Sequence, residues 1–69
     1  MQSHILTTRE REIFNLLSKN FDTNDIAEIL SISEKTVRNH ISNVIQKLGV
    51  KGRSQAIVEL VRLGAINIK

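Results

Sequence analysis

Proline is absent from this chain of 69 residues, and glycine occurs only at positions 49, 52 and 64. A chain with so few obligate breaks favours long helices over many short strands. At this length one domain spanning residues 1–69 is expected, small enough to be marginal on its own. Hydrophobic residues make up 41% and charged residues 25% of the chain, a balance that suits a folded domain and not a disordered one. Cysteine is absent, which removes disulfides and thiolate zinc sites, and His4 and His40 are too far apart in sequence for a paired-histidine metal motif. No metal or other cofactor is therefore expected. No apolar run reaches the ~18 residues of a membrane span, and the N-terminus lacks a charged-then-apolar secretory pattern, so a cytoplasmic protein without a membrane partner is expected.

Capping signals divide the chain into four helices, at about 8–19, 23–30, 34–48 and 53–63, giving an all-α fold. Thr7 and Glu10 have the spacing of a capping box for the first helix, in which Ile13, Leu16 and Leu17 form the inner stripe with Phe14 at its flank. Asn20 is suited to a left-handed helix end, with Phe21 following as the apolar residue that often accompanies it. Asp22 and Asp25 stand where carboxylates favour the start of the second helix, whose inner face is Ile26, Ala27 and Leu30. Ser31, Ile32 and Ser33 make a tight turn, and Ser33 caps the third helix, which Gly49 ends. Gly52 is an acceptable cap for the fourth helix, with Gln55 at its third position, and Gly64 stops it. The tail from Ala65 is apolar but too short to assign.

The third helix carries two stripes. Val37, Ile41, Val44, Ile45 and Leu48 recur at helical spacing and face the core. Lys35, Arg38, Asn39, Ser42 and Gln46 recur on the opposite side. Neither Glu nor Asp occurs from residue 35 to residue 58, whereas an ordinary solvated face mixes acids with bases for i,i+4 pairing. These are side chains of the kind that read base edges, Arg by forking to guanine and Asn by pairing with adenine. Charge is divided in the same sense. Residues 1–34 hold three bases against six acids, net −3, and residues 35–69 hold seven bases against one acid, net +6, so the second half suits a polyanion partner. Ala27, small and placed before the Ser31 turn and Val37, fits two helices crossing steeply, as in a helix-turn-helix.

Other candidate chemistry is weaker. Glu10 and Glu12 lie two apart on a helix and point in different directions, so capping and salt bridging account for them better than acid–base catalysis. Asp22 and Asp25 read as caps and not as metal ligands. His40, beside the core stripe, is expected to be partly buried and hydrogen-bonded, and His4 to lie in a loose terminus. Gly49 and Gly52 punctuate helices and lack the pattern of a phosphate-cradling loop. With no nucleophile–base constellation and little mass for a pocket, the chain is expected not to be an enzyme and not to take a small-molecule ligand. A helical module that docks other proteins is the competing class, supported by a fourth helix that is apolar nearly all round. Docking surfaces favour exposed aromatic anchors, and the chain has two Phe and neither Trp nor Tyr. The same shortage counts against single-stranded RNA recognition by stacking.

The segments Ser33-Glu34-Lys35-Thr36-Val37-Arg38-Asn39-His40-Ile41-Ser42-Asn43, Gln46-Lys47-Leu48-Gly49-Val50 and Arg53-Ser54-Gln55-Ala56 resemble the LuxR/GerE family of bacterial transcription regulators. Leu6-Thr7, Arg9-Glu10, Glu12 and Asp25-Ile26-Ala27 match the opening helices of that family, so the resemblance spans about residues 5–64. Within the family the chain is most similar to a stand-alone regulator of sporulation genes, with the excised DNA-binding effector domain of a two-component response regulator as the alternative. The resemblance implies four helices, DNA binding through the third and pairing through the fourth. It places base reading on Arg38, Asn39 and Ser42 and DNA-backbone contacts on Lys35, Thr36, Lys47, Arg53 and Ser54, to which Lys51 is added as a cation on the same side. Glu10 becomes a structural brace partnered by Arg53 or Lys47. The family's usual Gly at position 20 and usual Ser or Thr at position 22 are Asn20 and Asp22 here, and the Gly that a helix-turn-helix turn generally prefers at position 31 is Ser31. On the fourth helix, Ala56, Ile57, Leu60 and Leu63 are expected to face the core. Val58 and Val61, beside Ser54 and Arg62, then form a weak self-complementary patch for a homodimer that assembles mainly on double-stranded DNA, with RNA polymerase as a further partner.

Overall fold

The computed structural model describes residues 5–67, and among them it contains four helices and no strand: α1 (Thr8–Ser18), α2 (Thr23–Leu30), α3 (Glu34–Leu48) and α4 (Arg53–Arg62). His4 and Lys69 lie outside the described residues.

Side-chain caps start the first three helices. At α1 the Glu10 N–H donates to Thr7 Oγ1 at 3.1 Å and the Thr7 N–H donates to Glu10 Oε1 at 3.0 Å. Asp22 and Asp25 exchange the same pair of bonds at α2, at 2.8 and 3.2 Å. Ser33 Oγ accepts the Thr36 N–H at 3.1 Å at the start of α3. The first turn of α4 differs, because Gly52 has no side chain to offer. Gln55 reaches past Gly52 and accepts from the Lys51 N–H at 2.8 Å.

All four helices end in one way. A left-handed residue follows each, namely Asn20, Ser31, Gly49 and Gly64, with φ of 76°, 58°, 69° and 74°. The N–H of the next residue then donates back five positions: Phe21 to Leu16 O, Ile32 to Ala27 O, Val50 to Ile45 O and Ala65 to Leu60 O. These bonds close carbonyls that the helix leaves without partners. Ser31 is the costly member of the set. It lacks the freedom of Gly, and the left-handed conformation costs an L-residue about 1–2 kcal/mol.

The core is assembled around α3, whose Val37, Ile41 and Val44 are buried and which packs against α1, α2 and α4, while α4 packs chiefly on α3. Two expectations are corrected. Phe14, read as flanking the α1 stripe, is fully buried with Ile13 at the centre of the core. Leu63, read as a helical residue facing the core, caps α4 and is 52% exposed, and Ile66 takes that place at 3% exposure. The cause is the left-handed Gly64, which reverses the chain so that Leu63 faces out and the tail folds back over Leu60.

Candidate nucleic-acid interface

α2 and α3 pack against each other with Ala27, 8% exposed, in the core, and the left-handed Ser31 turns the chain between them within three residues. That geometry turns one side of α3 outward along its whole length. Lys35, Arg38, Asn39, Ser42 and Gln46 are all exposed, and Asn43 joins them, while the opposite side is sealed in the core. An exposed helix with this donor and acceptor set matches the width of a DNA major groove and the pattern of base edges within it.

The ends of this stripe are anchored. At its start the half-buried Glu34 accepts from Thr23 Oγ1 through Oε2 at 3.1 Å, and its other oxygen lies 3.7 Å from Arg38 Nη2. The outward face of α3 is therefore free of acid only from residue 35 on. The partnership of Glu34 with Arg38 was legible in their i,i+4 spacing; the anchoring Thr23 was not, because it comes from another helix. Next to Glu34, Thr36 Oγ1 accepts from Ser33 Oγ at 3.0 Å, which leaves the Thr36 hydroxyl hydrogen available to an outside acceptor.

At the other end Lys47 occupies a brace. Its ammonium donates to Glu10 Oε1 at 2.6 Å and to the Ile5 carbonyl at 2.8 Å, tying the last turn of α3 to α1 and to the segment before it. Glu10 is only 4% exposed. Burial works to raise its pKa, but the Lys47 ammonium bonded to it, the Thr7 N–H and the charge of His40 prevail and hold the carboxyl below its ordinary value. Of the two partners expected for Glu10 the structure selects Lys47 and not Arg53. Two of the three Lys47 ammonium hydrogens are thereby committed inside the fold, which leaves one for a phosphate. His40 is half-buried as expected and lies near Glu10, but the hydrogen bond also expected of its side chain is not found among the described residues.

Lys51, Arg53 and Ser54 are exposed around the uncapped start of α4, and among the described residues neither Lys51, Arg53 nor Lys35 has an ion-pair partner. Farther along α4, Val58 is 58% exposed and Val61 is exposed beside it. Arg62 pairs with Glu59 at 3.4 Å, and Ser54 is open to solvent. An open groove lined by Val50, Lys51, Ser54, Gln55, Val58 and Glu59 runs next to these residues. No described helix is long and apolar enough to cross a membrane.

Residues 4–60 match the family model described as bacterial regulatory proteins, luxR family. The spore germination protein GerE of Bacillus subtilis (strain 168) is 64% identical over 64 residues, covering 93% of this chain and 86% of that protein. The transcriptional regulatory protein DegU of Brevibacillus brevis is 46% identical over 66 residues, and there the match covers 96% of this chain but only 28% of the relative. A solved structure of the transcription factor GerE superposes with a TM-score of 0.95 at 64% identity, covering 97% of this chain and all of that one. On these matches, this chain belongs to the luxR family of bacterial regulatory proteins.

Proposed function

We propose that this protein is a transcription regulator that binds double-stranded DNA sequence-specifically, with α3 in the major groove and residues 1–69 acting as one DNA-binding domain. The observation that carries this reading is the outward stripe of α3, polar and exposed along its length and backed by Val37, Ile41 and Val44 in the core. Arg38, Asn39 and Ser42 lie mid-stripe and are assigned to base edges, where Arg forks to guanine and Asn to adenine. Lys35, Thr36, Lys51, Arg53 and Ser54 are assigned to phosphates, and Lys47 joins them only through the one hydrogen its brace leaves free.

Val58, Val61, Ser54 and Arg62 are assigned to a two-fold contact between copies. One such domain reads few base pairs, and two copies on successive major grooves, about 34 Å apart, supply the missing selectivity. The 64% identity to the spore germination protein GerE supports control of sporulation genes. In this reading the protein works in the cytoplasm by binding and not by catalysis, without a cofactor or small-molecule ligand, and RNA polymerase is the machinery it addresses.

Selection of sites from a random duplex pool, followed by a salt titration on the selected duplex, tests this reading. A recurrent imperfect palindrome is expected. Each phosphate contact removed, as in Lys35→Ala or Arg53→Ala, should lower the salt slope of log affinity by about 0.9. A pool that yields no preferred sequence would refute the reading.

A further inference from the structure

Arg38 is the base-reading candidate with the most freedom. Its side chain is 59% exposed, and an exposed Arg loses a large rotamer entropy when it is fixed against a base. Its only ion-pair partner among the described residues is Glu34, one turn earlier on α3. That carboxylate is not itself free. Oε2 accepts the hydroxyl of Thr23, a residue 8% exposed in the first turn of α2, while Oε1 is the oxygen facing Arg38. One oxygen is thus pinned to the first helix of the helix-turn-helix and the other aims at the reading residue of the second. The carboxylate also sits in the first turn of α3, where the helix dipole favours a negative charge.

We infer that Glu34, anchored by Thr23, is a specificity-determining positioning residue that restricts the Arg38 guanidinium to the orientation in which it meets a base edge; the inference rests on the DNA-binding reading above. Two opposed effects follow from the placement. A carboxylate on the DNA-facing side repels phosphates, so it lowers affinity for every duplex alike. At 3.7 Å it also attracts the Arg38 guanidinium as an ion pair without a hydrogen bond, which limits the excursions of the side chain while leaving its N–H groups to a base edge, and this helps only where the correct base is present to receive them. Glu34 therefore reduces general binding while it raises discrimination. Thr23 makes the second effect possible, because an unanchored carboxylate would follow the guanidinium wherever it moved.

The test compares the affinity of the full chain for its selected duplex with that for a scrambled duplex at one salt concentration. Glu34→Gln is expected to tighten binding to the scrambled duplex and to lower the ratio of the two affinities about two- to fivefold, the size associated with an exposed ion pair. Thr23→Val should lower the ratio in the same direction, and Thr23→Ser, which keeps the hydroxyl, should restore it. In an Arg38→Ala background Glu34→Gln should leave the ratio unchanged, since the residue it positions is gone. A ratio unaffected by Glu34→Gln, or lowered equally with and without Arg38, overturns the inference and reduces Glu34 to a structural contact. If wild type and Arg38→Ala bind both duplexes alike, the DNA-binding reading itself fails; if they differ and Glu34→Gln behaves as wild type, only the positioning role fails.

Discussion

α3 and α4 each turn one exposed stripe outward, and the two stripes are held in opposite ways. The stripe of α3 is polar and fixed at both ends, by Glu34 and Thr23 at its start and by Lys47, Glu10 and the Ile5 carbonyl at its last turn. Its helix is capped by Ser33 and packs against three others. The stripe of α4 is apolar at Val58 and Val61, its helix begins without a side-chain cap, and it packs chiefly on α3. Reading base edges demands a helix held in a fixed place, and contacts from neighbouring helices hold both ends of α3. A two-fold contact formed when DNA brings two copies together needs only modest apolar area and no fixed network. The difference in support thus parallels the proposed division of labour between reading and pairing.

Breaking the support of α3 has the largest expected effect. Glu10→Ala removes a capping-box partner and the anion that Lys47 binds, and the two losses together should destabilise the fold by about 3 kcal/mol. Urea unfolding measures this, and a loss well under 1 kcal/mol would mean that the brace is incidental. The same carboxylate gives a pH dependence with a definite sign. Its folded pKa is lowered, so its contribution is complete above the ordinary carboxylate range and is lost as pH falls through the depressed folded value. Glu10→Gln should therefore flatten the acid side of the stability profile.

The second prediction addresses pairing alone. Val58→Asp places a charge in the α4 patch, which is exposed, so stability should hardly move. Binding to a full two-fold site should weaken roughly tenfold or more, the scale of a coupling of about 1–3 kcal/mol between copies, while binding to an isolated half-site is spared. Unchanged binding to both, or one copy per full site, would remove the dimer from the account.

The smallest effect is expected in the turn that sets the two helices of the motif against each other. Ser31 is held at φ 58°, and Ser31→Gly relieves that strain while giving the unfolded chain more freedom. The net gain should be under about 1 kcal/mol, visible as a slightly higher melting temperature with unchanged DNA selectivity. A destabilised Ser31→Gly would show that the serine side chain contributes something the strain argument omits.

Much of this architecture was legible because it is encoded locally. The Thr7, Asp22 and Ser33 caps, the left-handed Asn20 and Gly49, and both stripes of α3 follow from spacing within a dozen residues. The illegible parts depend on residues distant in sequence. Phe14 is buried because other helices pack on α1, which its place beside the α1 stripe does not disclose. Ile66 replaces Leu63 in the core because Gly64 turns the chain back, and a five-residue apolar tail carries no periodicity from which to infer that. The family resemblance offers both Arg53 and Lys47 as partners for Glu10, and only the fold chooses Lys47, 37 residues away. The same holds for Glu34, whose partner Thr23 lies across the turn on α2.

The central claim is that the α3 stripe reads bases, and the most direct measurement is the affinity of Arg38→Ala and Asn39→Ala for the selected duplex and for its scrambled counterpart at a fixed salt concentration. Each substitution should cost roughly 1–3 kcal/mol on the selected duplex and little on the scrambled one, with selectivity relaxed at particular base pairs. Equal losses on the two duplexes would make both residues backbone contacts and contradict the account.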